Sequence, residues 1–368
     1  MAPTCIFNDI DDLIRSVRVG VSAWLQEMQD GTEYARFRMC RHGVHPHTLD
    51  ASSLAADLHQ MLGNRLSEED RDRQKRYFDS LQEPETGFFQ ESFCGSELDV
   101  STIPRIIEMS GTYLGFQVGG AYRAIDRRPK YEFRFYRPLL AAKKMKAYLD
   151  EQCPWGHSPW GAGGMIDSIS TMLRLNIEMG YTEYEEPLKA IFEWLEEHQD
   201  PRMGFWGDEA AQGINGLING GYHILRGTYF WYKRGVAYPE RMVDLVLQNV
   251  RSHPLFEDGR GHGCHDLDHF FLLEKVFAQT DGYRQAEVQA VAEKRLTQIL
   301  TAMHREEGGF SFEADNAVKM HNYYIVSPGV PESDMLGTVF YLQVLLSIFR
   351  MLGISCDKIW KDSVTHGA

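Results

Sequence analysis

The chain has 368 residues, of which 43% are hydrophobic and 24% are charged, a composition typical of a globular protein with a large core. Its formal net charge of −14 disfavours a nucleic-acid partner, because such partners require a basic surface. No apolar run approaches the roughly 20 residues of a membrane span, and the amino-terminal residues lack the pattern of a signal peptide. We therefore expect a cytoplasmic protein. Six scattered cysteines without a CxxC pair disfavour a disulfide framework.

Internal repetition is the most informative feature of the sequence. The stretches "AWLQEMQDGTEYARF", "RYFDSLQEPETGFFQ" and "EWLEEHQDPRMGFWG" each end a helical pattern at a Gln and then break into a turn. Together with a fourth copy and two weaker ones, they place the marker residues of the repeat at Gln29, Gln82, Gln152, Gln199, Arg251 and His304. A spacing of roughly 50 residues predicts six structural units. The register predicts equivalent places near helix ends for Trp24, Tyr77, Trp194 and Ile299.

Each unit predicts an amphipathic helix before the turn and a more apolar helix after it. The amphipathic helices, suited to an outer ring, are expected to begin near Asp9, Ser67, Phe135, Tyr184, Pro239 and Arg284. The apolar helices, suited to an inner ring, are expected to begin near Leu49, Ile103, Gly163, Gly213, Asp266 and Ser333. Strict alternation predicts an all-α fold, a closed (α/α)6 barrel of six helical hairpins in one domain over residues 1–368. An open helical solenoid is the alternative.

The segment "RRPKYEFRFYRP", residues 127–138, departs from the helical pattern. Aromatic and basic residues alternate in it between two prolines, which predicts a short extended insertion. Its basic side chains could hold an anionic substrate or could form a solvated surface hairpin.

The ending of Gln, turn, Gly and aromatic residue resembles the QW-type repeat of the terpenoid cyclase and protein prenyltransferase toroids. The resemblance implies a central cavity whose chemistry lies near the turns that lead into the inner helices. One such turn here is the stretch "GHGCHDLDHFFLLEKVF", residues 261–277. Its dense His, Cys and Asp residues predict a functional cluster at the start of the fifth inner helix.

A metal site is one interpretation of this cluster. Prenyltransferases bind zinc through an Asp-x-Cys pair and a His on the next inner helix, but Asp268 stands where the Cys belongs and Leu336 or Gly337 where the His belongs. A looser zinc or other divalent-metal site could use Cys264, His265 and His321. No other cofactor is predicted.

Proton transfer is the second interpretation. Class II terpenoid cyclases carry Asp-x-Asp-Asp, and Asp266-Leu267-Asp268-His269 matches three of these four positions. The resemblance implies that Asp268 is the proton donor. Helical spacing further suggests Asp268 and His265 as an acid–base couple. The predicted catalytic residues are therefore Asp268, Asp266, His265 and His269.

A helix cap is the third interpretation, because Asp is a preferred residue in the first turn of a helix and would stabilise it by about 1 kcal/mol. This explains Asp266 alone but does not explain the neighbouring His and Cys residues.

Further polar and aromatic residues lie at or near the starts of inner helices, or share the face of one such helix. The predicted substrate-binding residues are His47, Trp160, Asp167, Asn215, Asn219, His223 and Tyr323. Asp167, Asp208 or Asp334 could supply a second acid–base group opposite the cluster.

Three functions fit these observations. The first is a small-molecule enzyme of the terpenoid-cyclase-like group, a cyclase, isomerase or lyase that uses proton transfer in a central cavity. The second is a carbohydrate-active (α/α)6 enzyme, a hydrolase, lyase or epimerase, which needs two opposed acid–base groups. A Cys/His metal-dependent enzyme is the alternative that follows from the metal interpretation. The third is a non-enzymatic toroid that binds a peptide or protein. The sequence does not specify the oligomeric state.

Overall fold

The computed structural model describes residues 10–31, 34–91, 106–257, 259–355 and 360–365, and 61% of the chain is helical. The long helices alternate between an outer and an inner layer. The outer layer contains α1 (Ile10–Glu27), α3 (Glu68–Ser80), α5 (Ala142–Gln152), α7 (Glu185–His198), α9 (Pro239–Ser252) and α12 (Gln285–Ala302). The inner layer contains α2 (Leu49–Met61), α4 (Ile106–Ala124), α6 (Pro159–Glu178), α8 (Glu209–Leu225), α11 (Gly263–Phe277) and α13 (Met335–Met351). The short helix α10 (Pro254–Glu257) precedes α11.

The inner helices form a closed ring. Each inner helix contacts the next one in chain order, and α13 contacts α2. The predicted all-α (α/α)6 barrel is therefore confirmed, and the described helices do not form an open solenoid. The inner helices are buried on nearly every side, and α13 shows this most clearly, because sixteen of its seventeen residues are buried.

The repeated Gln has a defined task in two of the turns. The side-chain Nε2 of Gln82 donates to the carbonyl of Gly87 at 2.9 Å, and Nε2 of Gln199 donates to that of Gly204 at 2.8 Å. These bonds close the turn that follows each outer helix. The residues predicted to be equivalent lie three or four positions before the ends of their outer helices: Trp24, Tyr77, Trp194 and Ile299.

Two glycines allow α6 and α8 to pack closely. A Cβ on Gly163 would lie 2.2 Å from the carbonyl oxygen of Gly220, and a Cβ on Gly220 would lie 2.4 Å from that of Pro159. No side chain fits in this space, so the apolar, glycine-rich pattern of α8 reflects helix packing.

The segment 127–138 is not the predicted extended insertion. Its second half begins a 3₁₀ helix, Arg134–Leu139. Arg134 and Arg137 pair with the buried Glu132, and Arg127 pairs with carboxylates of α3. The charges of Arg127, Arg134 and Arg137 are therefore compensated within the protein and do not require an anionic substrate.

Two smaller elements complete the ring. Between α12 and α13, the strands β1 (Met320–His321) and β2 (Tyr324–Ile325) pair as an antiparallel hairpin. Residues 360–365 cross the opposite ends of inner helices, where the Lys361 amide donates to the Met61 carbonyl at the end of α2. None of the helices in the described part of the chain is both long and apolar enough to cross a bilayer.

Candidate active site

A cavity of about 380 Å³ lies within the inner ring. Five of the six inner helices contribute to its wall, together with the β1–β2 hairpin. Its volume falls within the range of roughly 300–1,000 Å³ that is common for small-molecule sites. The side chains that matter most for its chemistry are Tyr113, Phe116, Trp160, Asp167, Tyr222, His223, Cys264, Asp268, His321, Tyr323 and Phe340.

Asp167, on α6, is one of two carboxyl groups that the described residues contribute to the wall. Its Oδ2 accepts hydrogen bonds from both Nε (2.9 Å) and Nη2 of Arg226 and lies 2.9 Å from Nδ1 of His223. Its Oδ1 has no hydrogen-bond partner among the described residues, and the side chain is 1% exposed. Arg226 thus neutralises the carboxylate while one oxygen remains unpartnered.

The local backbone explains how Arg226 reaches Asp167. Arg226 begins a π-helix, Arg226–Phe230, which continues α8. A Cβ on Gly227 would lie 2.5 Å from Oδ1 of Asp167, so glycine lets this turn approach α6. Single π-helical turns inside α-helices occur frequently at functional sites.

Asp268, on α11, is the second carboxyl group and is 2% exposed. Burial raises its pKa well above the ordinary value; the charge of Arg226 opposes this shift, and the charge of Asp167 adds to it. Its Oδ2 has no hydrogen-bond partner in the described part of the chain. The cavity therefore contains one carboxyl group that favours the protonated form and one that is paired with a guanidinium.

The predicted couple of Asp268 with His265 is wrong. His265 points toward α8, where its Nδ1 lies 2.9 Å from Nδ2 of Asn219 and 3.2 Å from Nδ2 of Asn215. Burial and the neighbouring His262 lower the pKa of His265 to about 4. The charged groups that influence Asp268 are Asp167 and Arg226 instead.

Asp266 does not line the cavity either. Its two oxygens accept hydrogen bonds from Nε (2.6 Å) and Nη2 (2.7 Å) of Arg295 on the outer helix α12. The Tyr341 hydroxyl and the His262 backbone amide also donate to Asp266. Capping of the helix is therefore only part of the role of Asp266. Its fully buried ion pair with Arg295 also holds the carboxylate away from the ring centre.

His269 also faces away from the cavity. It is completely buried, and its Nε2 lies 2.8 Å from Nδ2 of Asn249 on α9, while its Nδ1 lies 2.8 Å from the His265 carbonyl. Burial and the neighbouring His265 lower its pKa to about 3. His269 therefore joins α11 to the outer layer rather than to a substrate.

The predicted substrate-binding residues divide into two groups. Trp160, Asp167, His223 and Tyr323 line the cavity. Asn215 and Asn219 instead bind His265, whose ring packs 5.1 Å from that of Trp160. They can act on the cavity only indirectly, by fixing His265 behind Trp160.

His47 lies outside the cavity wall. Its Nδ1 is 2.7 Å from Oδ2 of Asp30, and its ring contacts that of Tyr77. Of the three candidates for an opposing acid–base group, Asp208 and Asp334 cap α8 and α13: their carboxylates accept hydrogen bonds from the backbone amides of Ala210 and Gly337. Only Asp167 shares the cavity with Asp268.

The candidate metal ligands Cys264, His265 and His321 are not brought together as a ligand set. Cys264 and His321 line the cavity, whereas His265 is bound to the asparagines of α8. Burial raises the pKa of Cys264 well above its ordinary value, which opposes formation of the thiolate that a metal would bind. Among the described residues, no group of three or more His, Cys, Asp or Glu side chains is placed to hold a metal ion.

The β1–β2 hairpin supplies the remaining polar wall. Nε2 of His321 lies 2.7 Å from the Tyr113 hydroxyl and 3.2 Å from Oδ2 of Asp50, a fully buried residue of α2. Burial lowers the pKa of His321 to about 4 and raises that of Asp50 to about 7. Tyr113 was not identified from the sequence, because nothing in the sequence pairs it with the hairpin.

Comparisons with known proteins identify no family. No family model matches the chain, and no curated protein matches its sequence. A polysaccharide lyase structure is 11% identical, with a TM-score of 0.46 over 92% of this chain and 96% of its own. The GH76A α-1,6-mannanase from Salegentibacter sp. HEL1_6 is 12% identical, with a TM-score of 0.43 over 92% of this chain and 99% of its own.

The closed ring and its cavity place the protein in the (α/α)6 toroid class. Toroid architecture alone does not specify a reaction, so the function has to be inferred from the side chains of the cavity.

Proposed function

We propose that the protein is a carbohydrate-active enzyme that hydrolyses glycosidic bonds of uncharged sugars, with Asp268 as the general acid and Asp167 as the base or nucleophile. One observation carries the proposal: two carboxyl groups from different inner helices line one cavity in contrasting surroundings. Glycoside hydrolysis commonly uses such a pair, one protonated and one ionised.

Asp268 suits the role of the acid. Burial raises its pKa well above the ordinary value, so the carboxyl group retains a proton at a pH where an exposed Asp has lost it. A glycosidic oxygen bound beside it would receive this proton as the bond to the sugar carbon breaks.

Asp167 suits the complementary role. Arg226 and His223 fix one of its oxygens and leave the other without a partner. The carboxylate would attack the sugar carbon directly or take a proton from the attacking water. Which of the two occurs depends on the separation of the carboxyl groups in the complex with substrate.

The charge of the cavity indicates the class of sugar. Among the described residues that line it there is no Lys or Arg, whereas Asp167 and Asp268 are both present. A uronate would meet these carboxyl groups without a cation in the wall to neutralise it. Aromatic side chains such as Trp160 and Tyr323 offer the flat apolar surface on which an uncharged sugar ring packs.

The test is hydrolysis of a panel of neutral oligosaccharides and polysaccharides, measured as reducing ends released. On the active substrate, Asp268→Asn and Asp167→Asn should each lower kcat/KM by on the order of 100-fold or more with an unchanged circular dichroism spectrum. Asp208→Asn is the matched control, because Asp208 is exposed and caps α8, a task that Asn performs equally well. Near-normal turnover by either cavity variant would reject the proposal.

A second candidate function, protonation of an alkene as in terpenoid cyclases, is favoured by one observation. The wall around Asp268 includes the apolar or aromatic residues Phe116, Tyr222, Leu267 and Phe340. Such a wall can stabilise a carbocation through aromatic faces. The test is conversion of an acyclic polyprenyl compound. If this conversion requires Asp268 and the protein releases no reducing ends from any sugar substrate, this function is favoured over glycoside hydrolysis.

A further inference from the structure

A second, much smaller cavity lies behind the first. It has about 10 Å³ of free volume, room for one water-sized molecule or ion. Phe116 belongs to the walls of both cavities, and the small cavity is otherwise enclosed by α4, α6, α11, the π-helical turn and residues 360–365. The polar side chains around it include Arg174, Arg226 and Thr171.

Arg174 is an unusual residue to find in this position. Its side chain is 8% exposed, and its Nε has no hydrogen-bond partner within the described ranges. The nearest carboxylate oxygen, Oε1 of Glu178, lies 3.8 Å away. Burial, together with the charge of Arg123, lowers its pKa to about 9. A buried cation with so little compensation is costly to the fold.

The surrounding charges do not balance. Arg123 and Arg174 stack on the ring of Trp231, with guanidinium carbons 3.8 and 3.5 Å from its centroid. Both depend on one carboxylate, Glu178, and Arg226 is neutralised by Asp167. In the described structure, three guanidinium groups therefore share two carboxylates, which leaves an excess of one positive charge.

We propose that the small cavity binds a single chloride ion between Arg174 and Arg226. A monovalent anion would balance the excess charge and accept a hydrogen bond from the unpartnered Nε of Arg174. The volume admits a monatomic ion but not phosphate, sulfate or a carboxylate. A water molecule would fill the space but would leave the charge uncompensated.

The chloride site does not depend on the reaction proposed for the large cavity. The two cavities are nevertheless linked physically through Arg226. Arg226 donates to Asp167 and also to the backbone carbonyl of Thr365, which belongs to the wall of the small cavity. An anion bound here would fix Arg226 from behind.

The test measures thermal unfolding of the full-length protein in sodium chloride, sodium bromide and sodium gluconate at equal ionic strength. Both halides should raise Tm with the logarithm of their concentration once it exceeds Kd, by roughly 3–5 °C at about 100 times Kd, relative to gluconate. Arg174→Gln should abolish this difference. Arg234→Gln is the control, because Arg234 stacks on Phe192, pairs with Glu196 and neither lines the cavity nor belongs to the three guanidinium groups, so it should keep the halide response.

Equal Tm values in chloride and gluconate would overturn the proposal, as would a halide response that survives in Arg174→Gln. Crystals of the unaltered protein grown with bromide provide a readout that does not depend on any variant folding. An anomalous peak between Arg174 and Arg226 supports the site, and water density without an anomalous peak refutes it.

Discussion

Asp266 and Asp268 are two residues apart on one helix and have opposite environments. An α-helix turns by about 100° per residue, so the two side chains point about 200° apart. Asp266 consequently meets Arg295 of the outer layer, and Asp268 meets the cavity. In α11, the Asp-x-Asp motif therefore does not place both carboxyl groups in one site.

This difference predicts opposite effects on stability. Asp266→Asn leaves Arg295 buried without its counter-ion, and we expect it to lower the free energy of unfolding by about 3–5 kcal/mol. Asp268→Asn replaces a buried carboxyl group that favours its neutral form and should leave stability unchanged or higher at pH 8. Urea denaturation of both variants provides the comparison. A larger loss for Asp268→Asn than for Asp266→Asn would contradict the assignment of Asp266 as structural.

The pH dependence of folding stability tests whether the Asp50 carboxyl group is buried. Burial raises its pKa to about 7, so the folded protein holds a proton that the unfolded chain releases near pH 4. The contribution of Asp50 to stability is complete below pH 4 and is lost as the pH rises through 7.

Because Asn does not titrate, Asp50→Asn should gain stability relative to the unaltered protein as the pH rises from 4 to 8. At 1.36 kcal/mol per pKa unit the gain is at most about 4 kcal/mol. Urea denaturation at pH 4 and pH 8 measures it, with Asp208→Asn as an exposed control. A difference between Asp50→Asn and the unaltered protein that does not vary with pH would show that Asp50 is not buried as described.

Among the elements, the β1–β2 hairpin has a strained backbone and also forms part of the cavity wall. Its two turn residues have positive φ angles, 43° at Asn322 and 66° at Tyr323. Tight hairpin turns of this kind favour Asn and Gly, and a bulky side chain is rare there. The turn nevertheless holds Tyr323, which lines the cavity. Backbone strain of this kind is concentrated at functional sites.

Two substitutions separate the role of the Tyr323 ring from that of its backbone. Tyr323→Asn and Tyr323→Ala both remove the ring and should raise KM for the active substrate by roughly tenfold, with kcat little changed. Only Asn tolerates the left-handed conformation, so the Ala variant should be less stable than the Asn variant by about 1 kcal/mol. Steady-state kinetics and urea denaturation measure the two effects. Unchanged KM in both variants would remove Tyr323 from the site.

The helical elements could be predicted from the sequence because each one carries its own periodic pattern. Amphipathic and apolar helices alternate, and Ser67 and Asp334 cap helices at or beside the predicted starts. The segment 127–138 was predicted incorrectly because its alternation of aromatic and basic residues matches a strand. Glu132 inside that segment forms ion pairs with its arginines, and the 3₁₀ turn allows those contacts.

The site could be predicted only in part. Trp160, Asp167 and Asp268 were identified because they lie in the first halves of inner helices, which line the ring. Sequence spacing gives the direction of a side chain around its own helix, but it does not identify the neighbouring helix. For that reason the partners of His265 and Asp266, on α8 and α12, were found only in the structure.

At the scale of the whole molecule, the ring is held together by contacts between its two ends in sequence. The inner helices α2 and α13 pack against each other. Across their far ends, Asp362 pairs with Arg350 of α13 at 2.7 Å, and Asp57 of α2 accepts from the Val364 amide at 3.0 Å. The segment 360–365 also closes the small cavity behind Arg226.

Because the ring closes between α2 and α13, it cannot be completed until the end of translation. Translation proceeds from the amino terminus at roughly 5–20 residues per second, so α2 leaves the ribosome on the order of 15–60 s before α13 does. During that interval α2 lacks one of its ring neighbours, and its apolar side chains remain without their final cover. The nascent chain is therefore open to aggregation and to chaperone binding until the last inner helix emerges.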